Sequence, residues 1–322
     1  MNVVFMGTPD FAVPTLRQLN DSEFRVRGVV CQPDRPQGRG QKIQSGPVKS
    51  LALSNHIPVI QPLKMKDPAF LEILQGWNPE VIVVAAFGRI LPSQILQLPQ
   101  RGCLNVHGSL LPKYRGAGPI QWAVINGERQ TGITIMKMDE GMDTGAILSQ
   151  ETVSIGRNET SGELAARMAE VGGTLLLRTL RDWVAGRVLP QPQNEQEATL
   201  APLLKKEDGL IDWNLPAQAL ACRIRGLSPW PGAYTFFQGS RLAIWKAEES
   251  EIGVGVCEGI DGGPGEPGTI AAVTKQGLFV KTGKGLLSIQ DLQPANKKRM
   301  PVAQFLAGHP VTSAMTFSGN PG

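Results

Sequence analysis

A chain of 322 residues, 41% hydrophobic and 19% charged, has room for two domains with buried cores and argues against a disordered or fibrous polymer. Its 32 basic and 28 acidic residues leave a formal net charge of +4, too small by itself to imply a polyanionic partner. Cys31, Cys103, Cys222 and Cys257 form no Cys-x-x-Cys pair, and His56, His107 and His309 stand apart, so neither a disulfide framework nor a zinc site of ordinary spacing is expected. The first residues lack the basic and apolar regions of a signal peptide, and no apolar run reaches the ~18 residues of a membrane span; a cytoplasmic protein is the expectation.

Residues 2–6 (Asn-Val-Val-Phe-Met) read as a buried strand ending at Gly7, and residues 10–20 as a helix. Strands at 25–31 and 58–61, a helix at 67–76 and strands at 81–86 and 102–106 follow. Strands alternating with helices, several apolar throughout, predict an α/β domain with a mostly parallel sheet covered on both faces. Further strands are expected at 131–137 and 146–155, then an amphipathic helix over 161–185 with Gly186 just past its end. The stretch 189–202 is polar and proline-bearing without apolar periodicity, and reads as a linker. Beyond it lie a helix near 216–226 and short strands at 232–237, 241–247, 267–273, 277–281 and 285–290, which predict a small β-barrel. The loop 253–268 is glycine-rich and acidic and reads as mobile; no role is assigned to residues 309–322.

In open α/β sheets, ligands bind beyond the carboxyl ends of the strands. Three segments fall there: Gly7-Thr-Pro-Asp10, Phe87-Gly-Arg-Ile90 and Asn105-Val-His-Gly108. The first is not Gly-x-Gly-x-x-Gly, and no Walker sequence occurs, which disfavours dinucleotide and P-loop chemistry. Asn105 and His107, two apart on an extended chain, face the same side. The bland reading is a hydrogen-bonded core or turn histidine; the functional one is an amide and an imidazole aimed into a crevice. Asp139-Glu-Gly-Met-Asp143-Thr-Gly145 is a second polar cluster, read either as a solvated hairpin turn or as a loop whose carboxylate reaches His107. No Gly-x-Ser-x-Gly and no locally activated cysteine occur, so direct attack by a substrate amine is favoured over a covalent acyl-enzyme.

The run Asn105-Val-His-Gly-Ser-Leu-Leu-Pro-Lys-Tyr-Arg-Gly-Ala-Gly-Pro-Ile120 resembles the signature of the formyltetrahydrofolate-dependent transformylases, and Thr131 to Gly145 resembles their second signature. The resemblance is nearest to the branch acting on methionyl-tRNA and takes in Gly7 to Ala12, Gln32 to Gly40 and Trp230-Pro231. It implies a Rossmann-like, mostly parallel α/β domain (1–188) that binds folate, a linker (189–208) and an OB-like, tRNA-binding barrel (209–322). It implies catalytic roles for Asn105, His107 and Asp143. It implies a folate site made by Phe87, Gly88, Ile90, Leu91, Ser109, Leu110, Leu111, Pro112, Asp139, Glu140 and Gly141, largely through backbone atoms. The implied donor is 10-formyltetrahydrofolate without a metal, and the acceptor is initiator methionyl-tRNA; a nucleotide-sugar amine is the alternative acceptor. A monomer is expected.

Charge placement bears on the acceptor. Segment 31–50 carries Arg35, Arg39, Lys42 and Lys49 against Asp34, a net of +3. Residues 223–246 hold Arg223, Arg225, Arg241 and Lys246 without an acid, and Lys297, Lys298 and Arg299 cluster further on. Segment 248–266 holds six acids and no base. Basic segments beside an acidic loop suit phosphate contacts, although solvated faces give the same pattern. Arg35, Arg39, Lys42, Arg223, Arg225, Lys246, Lys297 and Lys298 are therefore the candidate tRNA residues, Arg39 foremost. Trp230 is expected in a core, and Tyr114 in packing or stacking.

Overall fold

The computed structural model describes residues 1–34, 36–37, 42–43, 45–250, 266–274 and 277–320, with 36–37 and 42–43 described by backbone alone. Arg35, Arg39, Lys275 and most of the acidic loop at 253–268 lie outside the described residues. The first part of the chain runs β1 (Asn2–Gly7), α1 (Val13–Asn20), β2 (Arg25–Val30), β3 (Pro36–Gln37), β4 (Lys42–Ile43), α2 (Pro47–Ser54), β5 (Val59–Ile60) and α3 (Pro68–Gly76). It continues with β6 (Val81–Ala85), α4 (Ser93–Leu96), β7 (Cys103–His107), α5 (Pro119–Ile125), β8 (Gln130–Lys137), β9 (Ile147–Ser154) and α6 (Ser161–Val184). The remainder holds α7 (Ala217–Gly226), β10 (Ala233–Phe237), β11 (Ser240–Glu249), β12 (Ile270–Val273), β13 (Leu278–Lys281), β14 (Leu286–Pro294), β15 (Met300–Pro301), α8 (Val302–Gly308) and β16 (Phe317–Ser318).

The chain divides into two compact units. The first comprises residues 1–119, 130–154 and 163–202, the second residues 120–129, 155–162 and 203–322. In the first unit, seven strands form a sheet in the order β5-β2-β1-β6-β7-β8-β9. The pairs from β5 to β7 are parallel, and β8 runs antiparallel to both β7 and β9. β6, and β1 after its first residue, are apolar because both faces are covered. Val4, Met6, Ile82 and Val84 pack with Phe70, Leu74 and Ile95 of α3 and α4 on one face. Val3, Phe5 and Val83, pointing oppositely, are also fully buried. On α6, a Cβ at Gly172 would stand 2.9 Å from the Val106 side chain, so the missing side chain lets the helix approach β7.

The stretch 189–202, read from sequence as a linker, is woven onto the first unit up to Pro202. Gln191 pairs antiparallel with Ile147, and Leu200 pairs parallel with Arg115. Its polarity reflects a strap that answers loop backbone with hydrogen bonds and needs no apolar face.

In the second unit the sheet order is β12-β13-β14-β11-β10-β16, with β15 paired to β14. The ends of this order meet: Ile270 N–H donates to Met315 O, Ala314 N–H to Ile270 O and Phe317 N–H to Gly268 O. The sheet thus closes into a barrel, and residues 314–318 are the closing segment. Phe317 stacks on Trp213 at 5.5 Å, and Trp213 Nε1–H donates to Thr235 Oγ1 at 3.1 Å. Leu220, Ile224 and Leu227 of and after α7 join Ile244, Val280, Ile289 and Leu292 in the core, with Trp122 and Ile125 of α5 packed against it. Trp230, expected in a core, is 50% exposed: it lies between Pro229 and Pro231 in the turn from α7 to β10, outside any element that presents a core face.

Candidate active site

Strands β6 and β7 lie side by side, with Val84 opposite Asn105 and Ala85 opposite Val106. Their carboxyl ends therefore open at one level of the sheet. Asn105 and His107 share a face of β7, as the two-residue spacing requires. Beyond β8, Asp139 to Gly145 form the loop that returns to β9. Gly145 holds that loop tight: a Cβ there would stand 2.0 Å from the carbonyl oxygen of Lys137.

The two polar clusters meet. Asp143 Oδ2 lies 3.6 Å from His107 Nδ1, and Asp143 Oδ1 lies 3.5 Å from Asn105 Nδ2. Oδ2 also accepts the Gly116 N–H at 2.9 Å. His107 is 5% exposed, and its Nε2–H donates to the carbonyl of Tyr114 at 3.0 Å. The carboxylate thus faces an amide, an imidazole and a backbone N–H, with only 16% of its side chain exposed. The His107–Asp143 gap exceeds hydrogen-bond length, so the ring is fixed by Tyr114 and stays close to the carboxylate without being locked to it. Both residues that answer His107 are in the left-handed region, Tyr114 at φ 61° and Asp143 at φ 55°. Such backbone is uncommon outside glycine and persists where surrounding bonds over-determine it.

The loop after β7 turns inward. Ser109 is fully buried, and its hydroxyl donates to Lys113 O at 2.6 Å. Thr134 Oγ1–H donates to Ser109 O at 2.6 Å and accepts the Leu111 N–H at 3.1 Å. Gln150 Nε2–H reaches both Leu111 O and Thr134 Oγ1. Leu110 and Pro112 are half-buried, and Leu111 is buried.

After β6 the chain turns through Ala86 at φ 43° and Gly88 at φ 70°. Phe87 and Leu91 bury their side chains beneath the sheet end, while Ile90 is strongly exposed. Gln32 Nε2–H donates to Phe87 O at 2.7 Å and so ties this turn to the end of β2. On the acidic loop, Asp139 Oδ1 accepts from Gly141 N–H and Thr144 Oγ1–H, and Glu140 accepts from Ser93 Oγ–H. The Ser93–Glu140 bond joins the segment after Leu91 to the acidic loop, so the two expected walls of a folate site are neighbours.

The basic candidates divide. Arg223 donates to Asp208 O at 2.6 Å and Arg225 to Glu159 O at 3.0 Å, so both guanidinium groups hold backbone inside the second unit. Lys246, Lys297 and Lys298 are exposed. Lys42 is described by its backbone on β4 only.

Several site residues carry no local signal in the sequence. Arg115, Gln193, Thr134, Gln150 and Gln32 sit in the hydrogen-bond network around the loops; Arg115 and Thr134 lie inside the two signature runs and Gln32 opens the stretch Gln32 to Gly40, while Gln150 and Gln193 lie outside all of them. Among the described residues, no group of three or more His, Cys, Asp and Glu is placed to hold a metal ion. Nor is any helix of these residues long and apolar enough to cross a membrane.

The family profile described as Formyl transferase matches residues 1–180, and that described as Formyl transferase, C-terminal domain, matches residues 203–310. The chain belongs to the formyl transferase family. A curated relative from Syntrophus aciditrophicus, named methionyl-tRNA formyltransferase, is 50% identical over 97% of this chain and 97% of its own. The crystal structure of WlaRD, a sugar 3N-formyl transferase in the presence of dTDP and 5-N-formyl-THF, is 18% identical. It covers 92% of this chain and 99% of its own, at a TM-score of 0.66. A methionyl-tRNA formyltransferase from Clostridium thermocellum is 21% identical over 78% of this chain and 94% of its own, at a TM-score of 0.54. At these identities the structural likenesses establish the family fold: a mostly parallel sheet domain followed by an antiparallel barrel.

Proposed function

We propose that this transferase moves the formyl group of 10-formyltetrahydrofolate to the amino group of methionyl initiator tRNA. The full-length identity to a methionyl-tRNA formyltransferase supports the acceptor. The observation that carries the chemistry is the convergence of Asn105, His107 and Asp143 at the carboxyl end of β7.

The amine of the methionyl group, as free base, attacks the formyl carbon. The carbonyl π pair moves to oxygen, giving a tetrahedral oxyanion. Asn105 has two amide N–H bonds: one faces Asp143 Oδ1, and the second is offered to the oxyanion. A donor of this kind is worth about 3–4 kcal/mol in the transition state. Collapse of the intermediate breaks the bond between the formyl carbon and N10, whose electron pair needs a proton. The attacking nitrogen must lose one. Asp143, with His107 beside it, accepts the first proton and returns one to N10, directly or through water. His107 stays oriented by Tyr114 O throughout. Tetrahydrofolate and formylmethionyl-tRNA are the products, and no covalent enzyme intermediate is needed.

The folate is assigned to the crevice walled by Phe87, Gly88, Ile90 and Leu91, by Ser109 to Pro112, and by Asp139 to Gly141. The tRNA backbone is assigned to exposed lysines, Lys246, Lys297 and Lys298 among them. The test is transfer of labelled formyl from 10-formyltetrahydrofolate to charged initiator tRNA, with charged elongator tRNA and a dTDP-amino sugar as rival acceptors. Label on the initiator tRNA alone is the expected result. Label on the sugar alone would replace this reading with the nucleotide-sugar alternative.

A further inference from the structure

The strap at 189–202 does more than join two segments. Gln193 uses every hydrogen-bonding site of its amide. Its Nε2 donates to Asp143 O and to Gly145 O, each at 2.8 Å. Its Oε1 accepts from Arg115 Nε at 3.0 Å and from a terminal Arg115 nitrogen at 2.9 Å. Arg115 is held in turn by Glu195 through two bonds of 2.8 and 2.7 Å, the bidentate geometry of a guanidinium and a carboxylate. That partner raises the guanidinium pKa and lowers that of the Glu195 carboxyl, so both are charged across the working pH range.

The strap grips the loop after β7 as well. Arg115 N–H donates to Thr199 O, Ala201 N–H to Arg115 O and Gly118 N–H to Ala201 O. Tyr114 N–H donates to Thr199 Oγ1 at 2.9 Å. The residues so held flank the groups that answer the reaction centre: the Tyr114 carbonyl on His107 and the Gly116 N–H on Asp143. One side chain, Gln193, therefore touches both loops. One of its two carbonyl partners belongs to Asp143 itself, where the backbone is left-handed and uncommon for a non-glycine residue, and the other to Gly145 two residues on.

We propose that Gln193, oriented by Arg115 and Glu195, is a positioning residue for formyl transfer: it pins the Asp143 turn so that the carboxylate faces Asn105 and His107. This rests on the function proposed above. Only an amide serves: Glu at 193 still accepts from Arg115 but cannot donate to two carbonyls, and Met fills the space with neither capacity. Gln193 acts through Asp143 and touches no substrate, so its effect requires the Asp143 carboxylate.

Single-turnover formyl transfer by the full chain tests this in Gln193→Met, Gln193→Glu and Glu195→Gln, each alone and combined with Asp143→Asn. Gln193→Met and Gln193→Glu are expected to slow transfer about tenfold or more, as a small misplacement of a reacting group does. The KM for 10-formyltetrahydrofolate should stay within about twofold and the thermal midpoint within about 3 °C. In the Asp143→Asn background, adding Gln193→Met should slow the reaction no further. A Gln193→Met rate within twofold of wild type, or losses that multiply in the double variant, overturns the proposal. If Gln193→Met fails to fold, Glu195→Gln at its exposed carboxylate takes its place. A severalfold loss that disappears with Asp143→Asn supports the proposal, and a loss that persists overturns it. A wild-type enzyme no faster than Asp143→Asn refutes the proposed chemistry itself, whatever Gln193 does.

Discussion

Asp143 stands 3.6 Å from His107 through the oxygen that also receives the Gly116 N–H, so a single carboxylate oxygen serves a backbone anchor and an imidazole. Replacing Asp143 with Asn keeps an acceptor for Gly116 and removes the charge and the proton-carrying capacity beside the ring. Asp143→Asn should lower single-turnover transfer about 100-fold with little change in folate binding. Quench-flow rates beside equilibrium titration with a folate analogue check this. Equal losses in both would mean that the residue shapes the pocket rather than the reaction.

The basic residues of the second unit predict two different phenotypes. Lys297→Ala and Lys298→Ala, at exposed positions, should each reduce the slope of log affinity for tRNA against log salt by about 1. Arg225→Ala removes the bond from the guanidinium to the Glu159 carbonyl and should instead lower the thermal midpoint with the salt slope preserved. Filter binding across a salt series and calorimetry separate the two.

Phe317 is buried, stacks on Trp213 and sits in the segment that closes the barrel. Phe317→Ala should destabilise the second unit by about 3–4 kcal/mol. Urea unfolding followed by Trp fluorescence reads this, since Trp213 reports on the lost stack. An unchanged midpoint would mean that the closing strand contributes nothing to stability.

Burial pushes the thiols of Cys31 and Cys103 up to about 12. At pH 8 only about one molecule in ten thousand would carry either thiolate, whereas an unfolded cysteine titrates near 8.5. Iodoacetamide should therefore spare both residues in the folded protein, label them in urea and leave formyl transfer intact. Peptide mass spectrometry gives the answer, and rapid native labelling of either residue contradicts it.

The parallel core was legible because β1 and β6 are short apolar runs buried on both faces, as is the second half of β2, a pattern with few other solutions. Asn105 and His107 were legible as a pair because strand geometry alone places them together. Four helices escaped notice. Three of them are α2, α4 and α5, which span eight, four and seven residues, too few for periodicity to speak; the prolines opening α2 and α5 were the available signal. The fourth, α8, also begins just after a proline. Gln193 was not legible at all. Its partners are far away in the chain, and a polar residue between prolines looks the same in a free linker and in a strap. Trp230 was misplaced for a related reason: its size suggests burial, but the turn around it decides where it points.

The second unit opens with residues 120–129 and is finished by residues 314–318, so its first and last pieces lie at widely separated points of the chain. On the ribosome, Trp122 and Ile125 emerge long before the barrel core that covers them exists. Those apolar side chains wait for core residues that run from Leu204 to Phe317, and until Phe317 is released the barrel has two open edges. Such long-range pairing is slow and leaves nascent chains sticky. A transcript cut short within the barrel should thus yield aggregate rather than a working first unit, and formylating activity should appear only after synthesis ends.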